Sequence, residues 1–243
     1  MSTAYPALVL TAGLFGSGLI GSIFGGGHGG DDCHRSAAGA RTMEIITKEW
    51  PLRLAADPVR DYVRVLGERL ASTADPSRSG AEWRFFVVRN LEPTAFAVGG
   101  RRFVISDGLI AFVRSESDLA AVLAHEMAHE HLGHFCKPEP RDSARFQYGS
   151  IVQHFNIDME EAADAEAVVL LGMAGFDPAS MYHLLRCLSE RPGAPTEQLR
   201  QRMRALQYLT TESPDSTVQE GSELKQIRSL ILQDFGGSIS RCR

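Results

Sequence analysis

"VLAHEMAHEHLGHF", residues 122–135, places four of the chain's eight histidines within ten positions. An α-helix turns once every 3.6 residues, so His125 and His129 present two imidazoles to one point in space. Glu126 stands a step further round the helix, placed to take a proton from metal-activated water without being tied up as a ligand. This HExxH spacing supplies half of a metal site. A catalytic zinc needs three protein ligands and one open position, so the third ligand has to come from elsewhere.

His131 and His134 project away from the His125/His129 face and are expected to be solvated or hydrogen-bonded rather than ligands. The longer HExxHxxGxxH pattern is out of register, because Leu132 stands where its glycine belongs and Phe135 where its last histidine belongs. A carboxylate from another helix is the remaining source. "MEEAADAEA", residues 159–167, offers Glu160 with Asp164 one turn later on the same face. Glu160 can bind the metal while Asp164 accepts the N–H of a ligand histidine and fixes its tautomer. The alternative is that these acids are the solvated start of a helix, stabilised by its dipole. Cys136, one turn beyond the cluster, reads as a structural thiol.

Outward from this stretch, Ser115 or Ser117 can cap the histidine helix, with Glu116 and Asp118 at its positive end, and Pro138 with Pro140 is expected to end it. A second helix runs through "DMEEAADAEAVVLLGMAG" to Gly175, and "FDPASMYHLLRCL" (176–188) is a third. Upstream, "DPVRDYVRVLGERLAST" (57–73) sets Val59, Tyr62, Val63, Val65, Leu66 and Leu70 near helical spacing. "EWRFFVVRNL" (82–91) and "RRFVISDGL" (101–109) are short and rich in aromatic and β-branched residues. They are expected to be strands with a turn between them at Gly99-Gly100, and "TAFAVGG" (94–100) as an extra strand.

The ends differ in character. Residues 7–25, "ALVLTAGLFGSGLIGSIFG", form an uncharged apolar run of nineteen, about the length that spans a bilayer as a helix, and the first charge is Asp31. No basic flank precedes it, yet a soluble domain gains little from such a run, which favours export or membrane anchoring. The expected division is an apolar N-terminal segment over 1–27, a flexible glycine-rich linker over 28–42 containing His28 and His34, a catalytic domain over 43–212, and a polar tail with a helix over 213–243. The four cysteines, Cys33, Cys136, Cys187 and Cys242, are too scattered to form a dense framework. A net charge of −5, from 30 acids and 25 bases mixed along the chain, excludes the basic footprint of a nucleic-acid binder.

Four ordered blocks, "DPVRDYVRVLGERL", "TAFAVGGRRFVISDGLIAF", "ESDLAAVLAHEMAHEHLGH" and "EEAADAEAVVLLGMAGFDP", resemble peptidase family M48, the HtpX, BepA and CAAX-prenyl-protease type of zinc metallopeptidase, over roughly residues 54–178. The resemblance implies an α+β, mainly α-helical gluzincin-type fold, with a small β-sheet beside the HExxH helix. It implies one zinc ion per chain held by His125, His129 and Glu160, with Glu126 as general base and Asp164 as outer partner. It also implies that Thr94, Ala95, Phe96 and Ala97 hold an extended polypeptide by main-chain pairing.

Two positions depart from the family. Thr94 stands where members usually carry Asn, and Arg191 precedes Pro192 in "RPGAPTEQLRQR" (191–202) where members have a histidine and a later arginine that stabilise the oxyanion. Arg191 and Arg200 are the oxyanion candidates here, with His183 and Tyr148 as weaker substitutes. Losing one such donor costs about 100- to 1,000-fold in rate. The segment after His129 is short and too polar to enter a bilayer, so the resemblance is to the soluble branch located in the cell envelope, with polypeptides as partners and at most residues 7–25 in a membrane. The expected function is a zinc endopeptidase for unfolded or misassembled proteins. The alternative is a non-proteolytic, chaperone-like zinc protein.

Overall fold

Three short strands with alternating apolar side chains organise the structure: β1 (Arg84–Val88), β2 (Ala95–Ala97) and β3 (Arg102–Ser106). Successive residues of a strand face opposite sides. Phe85, Val87, Ala95, Ala97, Phe103 and Ile105 therefore enter the main core, while Val88, Phe96 and Val104 meet Met43 and Ile46 on the other face. The computed structural model describes residues 37–74, 83–136, 144–148, 151–209, 221–236 and 241–242.

The strand order is β1-β3-β2. β1 and β3 lie parallel, with Phe85 opposite Phe103, and do not form the simple turn-linked pair read from the sequence. A parallel pair requires a crossover. The chain makes it by folding β2 back as an antiparallel neighbour of β3, so the turn at Gly99 and Gly100, both at positive φ, joins β2 to β3. β2 is left as the edge of the sheet. Thr94 O accepts from Ser106 N and Val98 N donates to Arg102 O. The backbone groups of Ala95 and Ala97, one residue out of phase, consequently face away from β3.

Helices cover both faces. On one lies α1 (Ala37–Glu49), which starts inside the stretch read as linker. Gly39 permits it, since a Cβ there would stand 2.4 Å from the carbonyl oxygen of Gly99. On the other face lie α2 (Pro58–Ala74), α3 (Asp107–Phe112), α4 (Glu116–His131), α5 (Ile157–Met173), α6 (Ser180–Ser189), α7 (Thr196–Leu206) and α8 (Ser222–Phe235). Ser115 Oγ caps α4 by accepting from Asp118 N. The helix ends well before the prolines, because Gly133 takes φ 65° and turns the chain away. The polar segment that follows contains a hairpin of β4 (Ala144–Tyr148) and β5 (Ile151–Phe155), which the sequence reading left as a connection.

The helix expected in the C-terminal tail is α8, and it is packed into the core through Leu224, Ile227 and Ile231. Each such burial contributes about 1.5–3 kcal/mol. Arg228 donates from Nε to the carbonyl of Ala111 and from Nη2 to that of Val113, tying α8 to the end of α3. A disulfide joins Cys187 of α6 to Cys242. The α+β, mainly helical class read from the sequence holds. Among the described residues no helix is long and apolar enough to cross a membrane; the apolar run at 7–25, with His28, His34 and Cys33, lies outside them.

Candidate metal centre

The site is built where α4 crosses α5. Both helices bury alanines, Ala120, Ala121, Ala124 and Ala128 on α4 and Ala163 and Ala167 on α5. Small side chains let helices pack closely, so short acidic side chains on one can reach the imidazoles of the other. His125 Nε2 and His129 Nε2 lie 3.1 Å apart. Glu160 completes a triangle, with Oε2 3.4 Å from His125 Nε2 and Oε1 3.4 Å from His129 Nε2. All three side chains are buried, and among the described residues they are the group able to hold a metal ion. Donors bonded to zinc at about 2.0–2.1 Å in a tetrahedron sit about 3.3–3.4 Å from one another, which these separations approach.

Charge and hydrogen bonding fit the same ion. Glu126, Glu160 and Asp164 are buried with Arg202 as their buried cationic neighbour. With all three carboxylates ionised and His125 neutral, one guanidinium leaves two negative charges, which a divalent cation would neutralise. Glu160 Oε2 is buried and, although Arg202 Nη1 lies 3.2 Å away, accepts no hydrogen bond, which leaves it able to take a cation. Burial works to lower the His125 pKa, but facing Asp164 and Glu160 reverse this and raise it to about 9. The position is one that favours positive charge. His129 is held well below its ordinary value by burial and by His125 and His134, which keeps it neutral, as a ligand must be.

Glu126 lies beside the triangle. Burial pushes its pKa up to about 7, with His125 opposing and Glu160 adding to the rise. Its Oε2 accepts from the Ala97 N–H at 2.8 Å, so the sheet edge aims the carboxylate. A recess of about 300 Å³, counting its open mouth, adjoins His125 and Glu126; Ala95, Val122, Met181 and Leu184 are among its apolar walls.

The arrangement behind the triangle was only partly visible in sequence. Asp164 Oδ1 lies 2.9 Å from His125 Nδ1. Burial tends to raise the Asp164 pKa, and the Arg202 guanidinium with His125 brings it below its ordinary value. Arg202, fully buried on α7, donates from Nε to Asp164 Oδ2 at 2.5 Å and from Nη2 to Asp164 Oδ1, and its Nη1 lies 3.2 Å from Glu160 Oε2. Sequence reasoning chose Arg191 and Arg200 instead. Arg200 is exposed and pairs with Glu197, and Arg191 pairs with Glu92 over the ring of Phe112. Neither joins the triangle. The overlooked signal was spacing, since Arg202 stands three residues after buried Leu199 and four before buried Leu206, on the inward face of α7.

The weaker substitutes are not at the triangle either. His183 faces Arg114 and Asp118 near the start of α4, and burial with Arg114 lowers its pKa. The side chain of Tyr148 lies outside the described residues, as does that of Cys136. Thr94 turns its backbone to Ser106 rather than to the open edge. His131 is exposed and 2.9 Å from Glu166, and His134 is buried against His129.

A helix bearing HExxH, a buried carboxylate on a second helix within reach of both histidines and a buried glutamate beside them are the donor set expected of a metallopeptidase with two histidines and one glutamate. Residues 59–138 match Peptidase family M48. The match runs from α2 past the end of α4 and stops before Glu160. The chain is 26% identical over 220 residues to the beta-barrel assembly-enhancing protease of Yersinia pestis, covering 75% of this chain and 43% of that protein. It is also 26% identical over 213 residues to the protein of that name from Escherichia coli K12, covering 74% and 42%. To the mitochondrial metalloendopeptidase OMA1 of Schizosaccharomyces pombe it is 23% identical over 174 residues, covering 57% and 52%. The matched part thus spans about two-fifths of the length of the first two relatives.

Proposed function

We propose that the chain is a zinc-dependent endopeptidase that hydrolyses peptide bonds of unfolded or misassembled polypeptides in the cell envelope. The observation that carries this reading is the His125, His129 and Glu160 triangle with Glu126 at its side. Zinc bound there would supply Lewis acidity, lowering the pKa of a water and polarising a substrate carbonyl.

The chain's own groups do the rest. Glu126 is held through Oε2 by the Ala97 amide, which leaves Oε1 to take a proton from the attacking water and return it to the departing amine. Asp164 and Arg202 hold His125 and Glu160 from behind. An extended substrate would lie along β2, where the backbone groups of Ala95 and Ala97 turn away from β3; main-chain pairing of this kind gives affinity with little sequence selectivity and suits loosely structured chains. The Cys187–Cys242 disulfide favours an oxidising compartment, and the apolar run at 7–25 is in keeping with export or anchoring. The names of the bacterial relatives speak of β-barrel assembly, in line with misassembled envelope proteins as substrates.

The test is chelation of the full chain with casein as substrate. Cleavage that stops on metal removal and returns with stoichiometric zinc is the expected result; cleavage indifferent to a chelator contradicts the reading. One observation favours the second reading, a zinc protein that holds unfolded chains without cutting them: neither Arg191 nor Arg200 reaches the triangle. That reading predicts zinc binding and casein binding with no turnover.

A further inference from the structure

His134 is five residues beyond His129, a spacing that a continuous helix does not bring face to face. The break at Gly133 changes this. With φ 65° that residue ends α4 and lets the chain turn back, so that the His134 ring comes to lie under the helix end. His134 is buried, and its Nδ1 lies 2.8 Å from Nδ1 of His129, with the two rings 69° apart. The other nitrogen of His129, Nε2, is the one that faces His125 and Glu160.

We propose that His134 is a positioning residue for the metal centre, acting through His129. A neutral imidazole that ligates through Nε2 carries its proton on Nδ1. His129 must then donate Nδ1–H, and His134 must accept it on Nδ1 and keep its own proton on Nε2. This fixes the tautomer and the ring plane of His129, the task that Asp164 performs for His125 from 2.9 Å. The two ligand histidines are thus held by different partners, one by a carboxylate and one by a neutral ring, and the neutral partner adds no further negative charge to a cluster already rich in carboxylates. The inference rests on the zinc reading, and its test is built to tell the two apart.

The test compares the full chain with His134→Leu and His134→Asn, the latter because Asn Oδ1 stands where His Nδ1 does and can accept the same bond. Zinc affinity is read by chelator competition, the ligand field by the visible spectrum of the cobalt-substituted protein, and folding by thermal unfolding of the metal-free forms. His134→Leu is expected to weaken zinc binding by about 10- to 100-fold and to shift the cobalt bands, as losses of outer partners do. His134→Asn is expected to restore most of both.

Parent-like affinity and spectrum in His134→Leu overturn the role of His134 alone. A folded His134→Asn as weak as His134→Leu overturns it too, since an acceptor would then not be what matters. If His134→Leu does not fold, His134→Asn decides by the same criterion. A parent chain that binds no zinc overturns the zinc reading and this inference with it.

Discussion

Among the described residues, two arginines are buried among carboxylates, and the surroundings of each reveal different duties. Arg53 has all its nitrogens engaged: Nε and Nη2 with Asp107, Nη1 with Asp57, and Nη2 also with Asp234. Asp57 and Asp234 are partly exposed, so water screens the excess negative charge. Arg202 faces Asp164 and Glu160, both buried; its Nη1 and Glu160 Oε2 are an ion pair at 3.2 Å but make no hydrogen bond. One cluster is closed and clamps the segment before α2, α3 and α8 together. The other, with Glu126 counted in its ionised form, carries two negative charges in excess, and two imidazole nitrogens turn toward the gap. A saturated buried network adds to structure, and one that gathers excess negative charge beside two imidazoles is suited to a cation.

Perturbing each cluster separates these duties. The largest effect on metal should come from Glu160→Gln, which removes one corner of the triangle; stoichiometric zinc binding and casein cleavage are both expected to vanish, and zinc retained at one per chain would break the contrast. Arg202→Met leaves Asp164 and Glu160 uncompensated. It should destabilise the metal-free chain by about 3–5 kcal/mol in urea unfolding and weaken zinc binding by about 10- to 100-fold. Arg53→Met should cost a similar 3–5 kcal/mol through stranded Asp107 while leaving zinc affinity at the parent value. Equal effects of the two arginine changes on zinc affinity would erase the distinction.

Smaller effects sharpen the picture at its margins. Cys187→Ser removes a link that closes 55 residues of sequence and should lower stability by about 2–4 kcal/mol without moving zinc affinity. Arg200→Ala should alter casein turnover by less than about twofold, since an exposed ion pair contributes little; a large loss of kcat would return Arg200 to the oxyanion role.

How much of this was legible depended on whether neighbours in space were also neighbours in sequence. His125, Glu126 and His129 share one helix, and helical periodicity alone brings them together. Glu160 and Asp164 were reachable because their four-residue spacing marks one face of a second helix. Arg202 was not, for "EQLRQRMR" reads as a solvated surface unless Leu199 and Leu206 are used to set the buried face. The strands were found, but their pairing was not, because apolar alternation does not distinguish a parallel neighbour from a hairpin partner. α1 hid inside a glycine-rich stretch, where Gly39 serves close packing against Val98 and Gly99 rather than freedom of the chain. Val98 and Gly99 lie about sixty residues beyond Gly39, out of the reach of local pattern.

The central claim is that zinc and Glu126 act together on a peptide bond. Measuring zinc stoichiometry and casein cleavage on the full chain beside Glu126→Gln tests it most directly. The account predicts one zinc in each protein and a loss of about 100- to 10,000-fold in cleavage for the variant. Cleavage by Glu126→Gln at the parent rate would contradict it.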